Sequence, residues 1–126
     1  MKRLFASLGV IIAMISLALF WQSSLTRGCD QLRAGMEQTR TYAAEGEMQK
    51  ALAALEDVER RWEQLHGRWS TMVDHNLMGM AELCINRTRA AIEARDRSLA
   101  LVEAESFYSA LHNILQTELF MVGNLF

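Results

Sequence analysis

The chain has no proline, only two cysteines in 126 residues, three histidines and no excess of basic side chains, the formal net charge being −2. Without proline nothing removes a backbone donor or forces a kink, so long helices meet no obstacle. The many Ala, Leu, Glu, Met and Arg residues are strong helix formers, and an all-α fold is expected. The charge balance argues against nucleic acid, which needs a basic footprint. Lys2 and Arg3 stand at the very start, so what lies beyond residue 21 is more acidic than the whole. No motif for a cofactor, a metal ion or a nucleophile is legible, and the sequence speaks more clearly about where the protein resides than about what it does.

What is there begins with residues 4–21, LFASLGVIIAMISLALFW, an uncharged and nearly all-apolar run directly behind Met1-Lys2-Arg3. As a helix it would extend roughly 27 Å, close to the hydrocarbon thickness of a bilayer. It is expected to be a transmembrane signal-anchor. Lys2, Arg3 and the α-amino group flank one side closely, whereas uncharged Gln22-Ser23-Ser24-Leu25-Thr26 follows the other. Residues 1–3 are therefore expected in the cytoplasm and 22–126 outside it, with Trp21 at the headgroup level. A cleaved signal peptide would share the charged start, but Ala18-Leu19-Phe20-Trp21 offers no small-x-small cleavage site. Lipidation at Cys29 is disfavoured by Arg27 just ahead of it and by the early end of the apolar run.

Beyond the run, apolar positions recur in steps of three and four. Leu25, Cys29, Leu32, Met36, Thr39 and Ala43 form a first stripe, and Glu45-Gly46 supplies a stop because glycine readily takes the left-handed conformation that closes helices. A second stripe runs Ala51, Leu55, Val58, Trp62, Leu65, Trp69. The phase changes near His66-Gly67-Arg68, so a turn is expected around Gly67, with Ser70-Thr71 as a cap and Asp74 in the first turn of a third helix. That helix carries Val73, Leu77, Met80 and Cys84 beside Met78, Ala81, Ile85 and Ile92. After Ala94-Arg95-Asp96-Arg97 a fourth shows Leu99, Val102, Phe107, Ala110, Leu111, Ile114 and Leu119, with Leu101, Tyr108 and Leu115 widening its face. Short connections favour antiparallel neighbours, so a small bundle of about four helices is expected. In that arrangement the uncharged tail from Leu119 to Phe126 lands next to the bilayer, either dipping into its interface or covering the base of the bundle; the alternative is a helix end folded onto its own core. A faint echo links residues 47–55 to 96–104, each opening a helix after a turn, which suggests repeated helical hairpins without amounting to a tetratricopeptide array.

Candidate sites are few. Asp74-His75 with Glu82 is the one constellation suited to a pH- or metal-responsive site, since histidine titrates near neutrality and carboxylates orient it. Helical ligand spacing, however, wants i,i+3 or i,i+4, which His75 lacks. His66 and His112 are isolated, and Glu103 and Glu105 fall on different helical faces. Cys29 and Cys84 both sit on apolar stripes; they pair if their Cα atoms approach within about 7 Å, and otherwise are buried thiols. Asn86-Arg87-Thr88 is a glycosylation acceptor pattern inside a helix. Trp62 and Trp69 are core anchors unless exposed, when they would mark a partner-binding hot spot.

The sequence of a basic start, a single span, Trp62 and Trp69, Asp74-His75, a long amphipathic helix, and a close carrying Ile114, Glu118 and Asn124-Leu125-Phe126 resembles a bacterial family of short membrane-anchored helical proteins, a domain of unknown function. The family's Asn-Ile-Leu-like tail corresponds here to Asn124-Leu125-Phe126. The resemblance implies an envelope protein with Trp62, Trp69, His75, Asn124 and Phe126 as partner-binding candidates, and supplies no mechanism. The expected function is therefore a non-enzymatic, membrane-tethered interaction module, without cofactor. Its partners would be the lipid bilayer and another envelope or membrane protein, or a second copy of itself. The alternatives are the Asp74, His75 and Glu82 sensor and a bitopic coiled-coil protein of the division type. Gly46 and Gly67 weaken the last by interrupting the heptads.

Overall fold

A computed structural model describes residues 1–125, with the backbone alone at 122 and 125. Among these residues the chain forms four helices and no strand: α1 (Lys2–Ala44), α2 (Met48–Trp69), α3 (His75–Glu93) and α4 (Arg97–Leu125). The apolar run and the first bundle helix are one uninterrupted α1 of 43 residues, about 64 Å long at the usual helical rise. Its stripe Leu25, Cys29, Leu32, Met36, Thr39 and Ala43 is buried throughout, and so are Ala51, Leu55, Val58, Trp62 and Trp69 of α2. Each helix packs on the next, and α4 closes the ring against α1. The result is an antiparallel four-helix bundle in which α1 and α3 occupy diagonal corners.

Two of the three connections are built alike. At the end of α1 the Glu47 amide bonds the Tyr42 carbonyl at 2.9 Å and the Gly46 amide bonds Ala43 at 3.1 Å; at the end of α3 the Asp96 amide bonds Ala91 at 2.9 Å and the Arg95 amide bonds Ile92 at 3.0 Å. Both are Schellman closures around a left-handed residue, Gly46 at φ 81° and Arg95 at φ 57°. The echo between residues 47–55 and 96–104 is thus structural, and it carries on at a constant offset. Ala51 matches Ala100, Leu55 matches Ala104, Val58 matches Phe107 and Trp62 matches Leu111, all buried. Thr39 matches Thr88, both buried, and each spends its hydroxyl on the carbonyl four residues back, Gly35 and Cys84 respectively. The bundle is two hairpins of one plan.

Several details differ from the sequence-based expectation. The turn lies at 70–74 rather than around Gly67, which is an interior residue of α2. One more helical turn delivers Trp69 to the core, 1% exposed, and burying an indole outweighs the cost of about 1 kcal/mol for a helical glycine. Asp74 is itself the N-cap of α3, its carboxylate accepting the Asn76 amide at 2.7 Å. On α3 the buried line is Met78, Ala81, Ile85, Thr88 and Ile92, which leaves Met80 exposed. Thr88 joins that line because its internal hydrogen bond removes the cost of burying it. On α4 the inner positions are Ala100 and Ala104, and the larger Leu99 and Val102 face out. Arg89 of α3 joins α2 at its rim, its Nη2 lying 2.9 Å from the Glu59 carboxylate, while its Nη1 meets Glu93 of α3 at 3.1 Å.

Contact between α1 and α2 depends on Gly28. A Cβ there would lie 2.6 Å from the Trp69 ring, whereas one at Gly67 meets nothing within 4 Å. Gly28→Ala should therefore lower stability by about 1–3 kcal/mol through overpacking, while Gly67→Ala should raise it by about 0.5–1 kcal/mol through helix propensity. Thermal unfolding of the full chain in detergent, followed by circular dichroism, checks both signs.

Candidate functional site

The feature with most chemical content lies where α1 passes from its apolar part into the bundle. Residues 4–17 of α1 are exposed, Trp21 is half-buried against the core, and Leu25 is fully buried. Opposite Trp21, α4 brings in Glu118, only 6% exposed, one turn beyond the buried Ile114. The Trp21 indole lines the same cavity as the Glu118 carboxyl, near enough for its polarity to act on it. An open cavity of about 300 Å³ lies beside this pair, walled by Met14, Leu17, Ala18, Trp21, Met72, Glu118 and Met121. Glu118 is the single ionisable side chain on that wall. α4 reaches this level because it has 29 residues where α3 has 19. It therefore overshoots the 70–74 turn and continues alongside the apolar part of α1.

Burial pushes the Glu118 carboxyl above the ordinary carboxylate range; the Trp21 indole pulls against this, and the negative charge of Asp74 adds to it. Because the folded-state value is raised, the linked stability is complete below the normal glutamate range and is lost as pH rises through the raised value. The arrangement is a carboxyl set among Met14, Met72 and Met121 and faced by one indole.

The other candidates are scattered. Trp62 and Trp69 are 3% and 1% exposed and pack edge to face at 6.2 Å between ring centroids; they are core anchors and present no surface. The Trp62 Nε1 is buried with no hydrogen-bond partner, as is the Tyr108 hydroxyl. Burial pushes Tyr108 up to about 12, and the Arg33 guanidinium lies 5.3 Å from its ring centroid. His75 is exposed at the start of α3 and Glu82 is exposed two turns along, about 10 Å away, so the two share no ligand. Asp74 is occupied as a cap. Among the described residues no group of His, Cys, Asp and Glu could hold a metal ion. His66 is half-buried on α2 beside Trp62, and His112 is exposed on α4. Cys29 and Cys84 are buried free thiols on the diagonal helices α1 and α3, so the disulfide considered for them is not formed. Burial pushes Cys29 up to about 12 and raises Cys84 as well, which keeps both protonated and poor nucleophiles. Asn124 is exposed near the end of α4, and Phe126 lies outside the described residues.

Glu118 carried a signal that the sequence reading undervalued. It is the one charged side chain after Glu105, and it stands four residues past Ile114 on the inward face. A lone carboxylate in register with a core stripe is buried far more expensively than it would be on a surface, and so marks either a partner or a function.

The fold and this junction define a class: two helical hairpins closed into one bundle and carried on an apolar helix. The chain belongs to the family described as a domain of unknown function, DUF4363, whose model matches residues 19–125. That match starts just before Trp21 and so takes in the junction and the whole bundle. No curated protein and no solved structure matches the chain.

Replacing Glu118 by Gln keeps a polar group facing Trp21 and removes the titration. Glu118→Gln should raise the melting temperature at about pH 8 and leave it nearly unchanged at about pH 3, below the ordinary glutamate range. A gain of equal size at both pH values would show that the carboxyl does not titrate differently on folding.

Proposed function

We propose that the chain is a non-enzymatic, single-pass membrane protein of the bacterial cell envelope, with residues 1–3 in the cytoplasm and the bundle outside, and that the bundle engages another membrane or envelope protein. The observation that carries the anchoring is the continuity of α1. Its apolar window, of mean hydropathy 2.4, has none of its residues buried in the protein, so it needs lipid to leave water. The same helix runs on without a break through Trp21 into the core at Leu25. Removal as a signal sequence would require a cleavable segment where the chain is helical and partly packed. Lys2 and Arg3 on the short side favour an inside N-terminus.

The non-enzymatic reading is supported by the dispersal of reactive groups: both thiols are buried, and the three histidines stand on three different helices. Interaction is supported by apolar side chains that the bundle leaves exposed on two adjoining helices, Met80 and Leu83 on α3 and Leu99 and Val102 on α4. These take over the docking role that Trp62 and Trp69 are too buried to fill.

In intact bacterial cells an impermeant thiol reagent should label Leu99→Cys without permeabilisation, and the protein should stay with the membrane on alkaline extraction. Labelling only after permeabilisation, or release as a soluble chain, overturns the orientation or the anchor. A photo-crosslinker at Leu83 should trap a discrete species that is lost when Met80 and Val102 are changed to Lys; a uniform smear unaffected by those changes would remove the docking role.

A further inference from the structure

The anchor reading has a structural corollary at the other end of the chain. Antiparallel to α1, α4 carries Met121 onto the same cavity wall as Met14 and Leu17, and Met14 lies two turns, about 10 Å, deeper into the apolar run than Trp21. If the run is in lipid, the end of α4 cannot be in water, because the two helices line one cavity at one height. The chemistry of that end agrees. From Leu119 to Phe126 there is no charged side chain. Phe120 is 69% exposed and Met121 56%, on a helix that buries Phe107, Leu111 and Ile114. Met72, in the separate 70–74 turn, is 57% exposed and meets the same cavity. Trp21, on the bundle side of the run, lines the same cavity, as expected of an indole at a membrane boundary.

We propose that the cavity and this apolar collar form a second membrane contact, filled by the acyl chains of the outer leaflet, so that α4 and the α2–α3 turn are inserted beside the anchor. The bundle then does not swing on a single helix. It is seated on the bilayer at three points of its base, with a fixed height and a fixed face toward the cell. The occupant is lipid because the collar is continuous with the exposed surface of the run, which has no other solvent available to it. This inference rests on the anchor reading, and the test separates the two.

The full chain is reconstituted in phosphatidylcholine vesicles with single nitroxide labels at Leu17→Cys, Phe120→Cys, Met72→Cys and Leu99→Cys. The unmodified chain gives the background, since Cys29 and Cys84 are buried. Collision with lipid-soluble oxygen is compared with collision with a water-soluble nickel chelate. The expected result is an oxygen-to-nickel ratio at Phe120 and Met72 several-fold above that at Leu99 and approaching that at Leu17. A high ratio at Leu17 with Phe120 and Met72 matching Leu99 overturns the second contact and leaves the anchor standing. A low ratio at Leu17 overturns the anchor and the contact with it. Labels at Phe120 and Met72 that meet neither reagent would show protein, such as a second copy, on the collar and would equally overturn the lipid assignment.

Discussion

Everything in this molecule depends on α1 being a single rigid rod that joins an exposed apolar run to a buried core stripe. A helix holds its register along its whole length because every internal amide is committed to a carbonyl four residues earlier, and neither proline nor an interior break relieves that commitment here. The rotation of the apolar run about its axis is therefore coupled to the face on which Leu25, Cys29 and Leu32 enter the core. No hinge intervenes between them. The bundle is an extension of the run rather than a load hung from it, which is why the level of α4 relative to Met14 and Leu17 has physical meaning.

The bundle itself follows from one device used twice. A helix ends on a left-handed residue, the next residue begins another helix, and an inward small residue follows four positions later: Gly46, Glu47 and Ala51 in one hairpin, Arg95, Asp96 and Ala100 in the other. The second hairpin uses an arginine in the left-handed conformation where the first uses glycine, a strained choice for a residue with a Cβ. In compensation it gains a side-chain cap, the Asp96 carboxylate accepting the Leu99 amide at 3.1 Å. Pairing two such units lets each bury the face that it could not bury alone.

What could be read in advance follows from how strongly a residue's local signal agrees with its tertiary setting. The stripes of α1 and α2 were legible because large apolar residues occupy nearly every inward position, and Gly46 because its backbone is glycine's by preference. The line on α3 was obscured by Thr88, whose polarity is cancelled by a bond that the sequence does not display. The line on α4 was obscured by size, since Ala100 and Ala104 are inward while bulkier Leu99 and Val102 are not. Gly67 looked like a terminus because its local penalty was visible and the burial of Trp69 against Gly28 was not. The same division runs through the candidate site residues. Trp62, Trp69 and His75 stand out by residue type, whereas Glu118 stands out only by its register with Ile114 and by the level to which α4 carries it.

That residue also says why the junction has the form it does. A leucine at position 118 would extend the stripe of Leu111 and Ile114 without desolvation cost, and stability alone would favour it. A carboxyl there is tolerable only where a polar group faces it, and the Trp21 indole does so from the helix that must be matched. Apolar packing between α1 and α4 would accept a slip along the helix axes with modest loss, because methionines and leucines repack readily. A buried carboxyl does not, since moving it one turn takes it away from that indole. Glu118 and Trp21 thus trade stability for register, and register is what sets how far the end of α4 descends beside the apolar run.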